Sequence, residues 1–262
     1  PMIHEKIEIQ LKDSEFKANL FTYFLDNSPE IDLGRKRPVV LICPGGGYQM
    51  TSDREAEALA VKFMAMGYHA AILRYSVAPA RFPEALLQLA TAVAMLRENA
   101  EKWHIDTGKI VVQGSSAGGH LAATAATHYS CQAERPDFQI LFYPVISFDP
   151  TFTHKDSRDN LIGKNASEQQ VRLYSNELQV TVDTPPAFIA ASTDDATVSV
   201  RNSVEYYNAL LSKDVSAALL LFPTGGHGWV GNIDFAYRQA WQQALATWLQ
   251  QQSDEMRHIS QH

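Results

Sequence analysis

The sequence predicts an α/β protein: a mostly parallel central sheet with helices on both faces. Three observations carry that prediction. From Pro38 onward, short continuous apolar runs recur, as strands buried on both faces require. Longer segments with apolar positions at helical spacing lie between them, and such alternation implies a parallel sheet covered by helices. Ahead of both stands a stretch of period-two alternation, the pattern of half-buried antiparallel strands.

In chain order, "KIEIQL" and "FKANLFTYFL" make a leading antiparallel hairpin. "PVVLIC" is the first buried strand and "SDREAEALAVKFMAMG" the first helix. "HAAILRY" and "PEALLQLATAVAMLRENAEKW" repeat the unit, and "KIVVQGS" with "SAGGHLAATAATH" repeats it again. "FQILFYPVI", "PAFIAAS" and "ALLLFP" complete the sheet, the last two followed by the helices "VRNSVEYYNALLSK" and "DFAYRQAWQQALATWLQQQ". Right-handed crossovers then place the strands' carboxyl ends along one edge, where ligands of open α/β sheets bind. Residues 147–184 break the rhythm, being polar and mixed. So long a connection is expected to serve as a lid or substrate loop. No repeat or low-complexity linker divides the chain, and residues 1–262 are expected to form a single domain.

Composition narrows the partners. The net charge is −7, and basic residues cluster only in "GRKRP" at 34–38, read as a solvated turn, so nucleic acid is excluded. No segment has the length of a membrane span. The amino-terminal "PMIHEKIEIQ" alternates charged and apolar residues where a secretion signal needs a continuous apolar run. Cys43 and Cys131 have neither metal-ligand spacing nor a disulfide framework. A cytoplasmic protein that binds no membrane is expected.

The chemistry centres on "VVQGSSAGGHL" at 111–121. A strand runs into a helix here, and the change of direction falls on Gly114-Ser115-Ser116-Ala117-Gly118, a G-x-S-x-G pattern around Ser116. Such an elbow holds its serine in a strained turn, and the residues two before and two after must be small to let the backbones pass. It also puts the serine at a helix amino terminus, where the Ala117 N–H points outward and the helix dipole favours an oxyanion.

Gly45-Gly46-Gly47, just after "VVLIC", lies where a second oxyanion donor is needed. A phosphate-binding loop is disfavoured, because no Lys-Ser/Thr follows and G-x-G-x-x-G is absent.

A serine hydroxyl needs a base, and the base needs an orienting group. Of the nine histidines, His227 in "FPTGGHGW" follows the last strand, with glycines on either side. His120 sits one turn into the helix behind Ser116, which predicts a core role. His69 starts a strand, His104 and His128 end helices, and His4, His154, His258 and His262 lie in polar or terminal segments. The acid should come between serine and histidine, after the strand before the last, where Asp194 and Asp195 stand. The order of glycine loop, serine, acid and histidine, each after a strand, predicts the α/β-hydrolase fold, and the length of the sequence is expected to leave no room for a large cap domain. In that fold the acid typically begins a D-x-x-V stretch, which Asp195 does with Val198. Asp195 is therefore preferred, with Asp194 as the alternative or as a cap of the turn or the next helix.

Over roughly Val39 to Trp229 the chain resembles the α/β-hydrolase esterases, namely acetyl xylan esterases and the wider hormone-sensitive-lipase-like carboxylesterases. The resemblance is carried by "PGGGY", "YSVAP", the segment from "FPEALLQ" to "GSSAGGHLAA", "YPVIS", "LIG", "TPPAFIAASTDDATVSVRNSVEYYNALL" and "FPTGGHGW". It implies Ser116 as nucleophile, His227 as base, an Asp of the 194–195 pair as its partner, and Gly46, Gly47 and Ala117 as oxyanion-hole donors. The chain departs from the pattern at Pro44, where lipase-like relatives have His, at Gln88, often Asp, and at Ser199, usually Pro.

The expected activity is hydrolysis of short-chain acyl esters, acetyl esters of sugars foremost, by a Ser-His-Asp triad with no metal and no organic cofactor. The alternatives are an amide-cleaving α/β-hydrolase, kynurenine-formamidase-like or peptidase-like, and a non-catalytic ligand receptor on the same fold. A homo-oligomer is compatible with the sequence.

Overall fold

The structure is a computed structural model and describes residues 1–259, with side chains described up to residue 252. Nine strands, β1 (Met2–Ile3), β2 (Lys6–Gln10), β3 (Lys17–Leu25), β4 (Arg37–Cys43), β5 (His69–Arg74), β6 (Ile105–Ser115), β7 (Phe138–Phe142), β8 (Ala187–Ser192) and β9 (Ala217–Phe222), form one sheet among the described residues. Its order is β1-β3-β5-β4-β6-β7-β8-β9, with β2 also paired to β3. The pairings of β1, β2 and β5 with β3 are antiparallel; all those from β5 through β9 are parallel.

The apolar runs are continuous because the sheet is covered twice. Along β4, Val39, Leu41 and Cys43 enter one core while Val40 and Ile42 enter the other, as alternating side chains must. The helices are α1 (Glu57–Ala65), α2 (Glu84–Glu98), α3 (Ala100–Trp103), α4 (Ala117–His128), α5 (Lys155–Ile162), α6 (Glu168–Leu173), α7 (Arg201–Ser212) and α8 (Arg238–Ile259). α2, α4 and α7 supply Leu89, Leu121 and Leu210 to the first core. α1 and α8 supply Phe63 and Trp241 to the second.

The chain leaves β4 toward β5 on one side and returns to β6 on the other. That reversal opens the sheet's carboxyl edge between β4 and β6, the place where such sheets hold ligands. The glycine loop follows β4 and Ser116 follows β6, so both border this crevice.

One expectation needs correction. Within "GRKRP", Gly34, Arg35 and Lys36 are exposed, but Arg37 is only 8% exposed. It opens β4, its N–H donates to the His104 carbonyl at 2.9 Å, and its guanidinium lies 3.4 Å from Asn27 Oδ1, so strand pairing draws it inside. The polar stretch 147–184 contains α5, α6 and a 3₁₀ turn at Asn176–Leu178. His154 and Ser167 accept N–H groups at the starts of α5 and α6, so these helices depend on caps where an apolar stripe is thin. Among the described residues no helix is long and apolar enough to cross a membrane.

Candidate active site

Ser116 has φ 56° and ψ −122°, a left-handed conformation that β-branched and bulky side chains resist. Close backbone approach holds the turn: a Cβ on Gly114 would strike the Gly118 carbonyl, and one on Gly118 would strike the Cys43 carbonyl. The Ser116 N–H donates to Phe142 O at 3.0 Å, and its carbonyl accepts from Val145 N–H at 3.0 Å, tying the elbow to β7.

His227 meets this serine across the crevice, with Nε2 2.9 Å from Ser116 Oγ and Nδ1 2.7 Å from Asp195 Oδ2. The Asp195 side chain is 1% exposed, and its Oδ1 also accepts the N–H groups of Thr197 and Val198, each at 2.9 Å. One carboxylate therefore both faces the imidazole and holds the turn into α7. Asp194 instead accepts the Gly226 N–H at 2.8 Å and tethers the histidine's loop. The cap expected of the acid that does not face His227 is made by Asp195 itself.

His120 is fully buried, between the Tyr48 hydroxyl at Nδ1 and the Tyr174 carbonyl at Nε2, each at 2.8 Å. Burial pushes its pKa down to about 4, so it is a neutral strut. His258 and His262 lie outside the residues whose side chains are described.

Gly46 has φ 142° and Gly47 φ 65°. A Cβ on Gly46 would collide with the Met50 carbonyl. Neither N–H has an acceptor among the described residues, and the Ala117 N–H, first in α4, has none by position. The support that Pro44 does not supply comes from elsewhere. The Tyr75 hydroxyl donates to the Pro44 carbonyl, Asn160 Nδ2 donates to the Gly47 carbonyl at 2.9 Å, and the Gly45 N–H donates to Glu55 Oε1 at 3.0 Å. Gln88 is buried and exchanges two hydrogen bonds with Ser76, bracing the "YSVAP" segment that β5 leads into.

Three neighbours of the site escaped the sequence reading. Glu55 is 6% exposed, and its Oε2 accepts the Tyr143 hydroxyl at 2.5 Å. The Tyr143 ring lies 4.6 Å from the His227 ring. His154 lies beside the oxyanion loop, its Cε1 3.9 Å from where a Cβ on Gly47 would stand, and its Nδ1 accepts the Ser157 N–H. Glu55 reads as an ordinary acid of a helix's first turn, Tyr143 as part of an apolar strand, and His154 as loop. The sequence carried no signal for any of them.

A sheet switched at β4, a serine turned out at the end of β6, and an acid and a histidine after β8 and β9 define an α/β-hydrolase. Comparison with known proteins places it further: the BD-FAE family profile matches residues 29–210, and the chain belongs to that family. An endo-1,4-β-xylanase B of Butyrivibrio fibrisolvens is 36% identical over 235 residues, 84% of this chain and 36% of that protein. An acetylxylan esterase of Xylanibacter ruminicola is 31% identical over 250 residues, 94% of this chain and 50% of that protein. The chain thus spans only half or less of the length of these two curated relatives. The crystal structure of an acetyl ester-xyloside bifunctional hydrolase from Caldicellulosiruptor lactoaceticus superposes with a TM-score of 0.85 at 33% identity, covering 92% of this chain and 90% of that one.

Proposed function

We propose that this chain is a serine esterase that removes short acyl groups, acetyl foremost, from esterified saccharides. The observation that carries the reading is the 2.9 Å contact between Ser116 Oγ and His227 Nε2, with Asp195 on the far side of the imidazole. Ser116 Oγ attacks the ester carbonyl and passes its proton to His227 Nε2. The N–H groups of Gly46, Gly47 and Ala117 receive the oxyanion, and Asp195 stabilises the imidazolium. Collapse breaks the carbonyl–alkoxy bond, and His227 returns the proton to the departing alcohol. Water, deprotonated by His227, then releases the carboxylate and restores Ser116.

The names of the relatives favour ester over amide cleavage, and two of them pair acetyl ester or acetylxylan chemistry with saccharides. One sheet joining β1 to β9 supports a single catalytic domain spanning the chain. Free thiols at Cys43 and Cys131, the latter exposed, support a cytoplasmic location.

The experiment is a hydrolysis panel of nitrophenyl esters from acetate to octanoate beside acetylated xylo-oligosaccharides. Acetate release from the oligosaccharides and a kcat/KM that falls with chain length are expected. Preference for octanoate, with no acetate released, would overturn the substrate assignment.

A further inference from the structure

Glu55 is an expensive residue to keep. Taking a carboxylate out of water costs several kcal/mol unless its partners replace the lost hydration. No lysine or arginine lies within ion-pair distance of Glu55 among the described residues. It has instead the Gly45 N–H at 3.0 Å on Oε1 and the Tyr143 hydroxyl at 2.5 Å on Oε2. Both partners lead to the reacting groups. Gly45 begins the oxyanion loop and is wedged so tightly that a Cβ there would lie 2.6 Å from Glu55 Oε1 and 2.9 Å from Ser116 Cβ. Tyr143 backs the His227 ring at 4.6 Å and is itself held with φ 35°, its N–H donating to Ala190 O at 2.7 Å and its hydroxyl lying 3.4 Å from the Val230 N–H.

We propose that Glu55 is a positioning residue of the esterase: its buried carboxylate turns the Gly45 N–H inward, so that those of Gly46 and Gly47 face the substrate, and through Tyr143 it fixes the His227 ring. The inference rests on the esterase reading of Ser116 and His227. Because oxyanion-hole bonds strengthen as charge forms on the carbonyl oxygen, a misaligned loop is felt in kcat more than in KM. Burial raises the pKa of Glu55, and the Tyr143 hydroxyl, the charge of His227 and the Gly45 N–H act against that rise. The other titratable groups facing this pair are Arg54 and Tyr75 near Glu55 and His154 near His227.

Three variants, Glu55→Gln, Glu55→Ala and Tyr143→Phe, test this on 4-nitrophenyl acetate, with kcat, KM and the melting temperature measured for each. Glutamine keeps the volume and the acceptor for Gly45 but removes the charge and the acceptor for Tyr143. Its kcat is expected to fall about tenfold with KM within about twofold. Alanine should cost about a hundredfold in kcat. Tyr143→Phe, which leaves the loop contact in place, should lose less than alanine does.

A buried acid that served stability alone would lower the melting temperature of Glu55→Gln and leave kcat and KM where they were. That result overturns the proposal, even if the alanine variant does not fold. Should Ser116→Ala keep wild-type activity in the same assay, the esterase reading itself fails. The two failures are therefore distinguishable.

Discussion

Asp195 Oδ2 lies 2.7 Å from His227 Nδ1, whereas the adjacent Asp194 directs its carboxylate to the Gly226 N–H. Two neighbouring acids thus divide two tasks, one facing the imidazole and one holding the loop that carries it. If Asp195 stabilises the imidazolium, Asp195→Asn should lower kcat on the order of 10³- to 10⁴-fold, and Asp194→Asn less than about tenfold. Steady-state kinetics on nitrophenyl acetate separate them, and equal losses would remove the assignment.

His69 and His120 make stability sensitive to acid. Burial pushes both down to about 4, below the 6.5 of an exposed imidazole. Their folded-state values are depressed, so they bind protons more readily unfolded. Their contribution is complete above about pH 6.5 and is lost as pH falls toward 4. The loss should be on the order of 2–3 kcal/mol for each histidine. Urea midpoints measured from pH 7 to 4 should fall, and His120→Gln should lower the pH 7 midpoint while flattening that slope. An unchanged slope in the variant would contradict this.

Glu177 behaves in the opposite sense. Both of its carboxylate oxygens are buried, and burial pushes its pKa up to about 7, with the neighbouring Ser147 hydroxyl opposing only part of that rise. A carboxyl raised in the folded state is harmless below its unfolded value near 4.5 and destabilising once pH rises through 7. Glu177→Gln should therefore stabilise the protein by about 1–2 kcal/mol at pH 8.5 and by almost nothing at pH 5. Thermal melts at the two pH values check it, and a gain of the same size at both would argue against a titrating carboxyl.

Much of this architecture was legible in the residues. Continuous runs such as "PVVLIC" are unambiguous when both faces of a strand are buried, and Gly114 and Gly118 flank Ser116 because Gly114 packs against the Gly118 backbone and Gly118 against that of Cys43. His227 could be chosen among nine histidines by its place after the last strand. What stayed hidden depends on contacts between residues distant in sequence. Glu55 and Tyr143 are 88 residues apart, and nothing local to either marks the bond between them. Arg37 reads as surface because its charge dominates local pattern, whereas its position in β4 is set by pairing with the chain near His104. The D-x-x-V spacing preferred Asp195 over Asp194, and the loop after β8 turns Asp195 to the imidazole and Asp194 to the Gly226 N–H.

The account stands on Ser116 being the group that becomes acylated. Labelling the wild-type protein with a fluorophosphonate, followed by peptide mass spectrometry, reads this directly. The expected result is one adduct on Ser116, complete loss of ester hydrolysis on labelling, and neither label nor more than residual turnover in Ser116→Ala. Hydrolysis that survives full modification of Ser116, or an adduct on a different serine with activity lost, would contradict it.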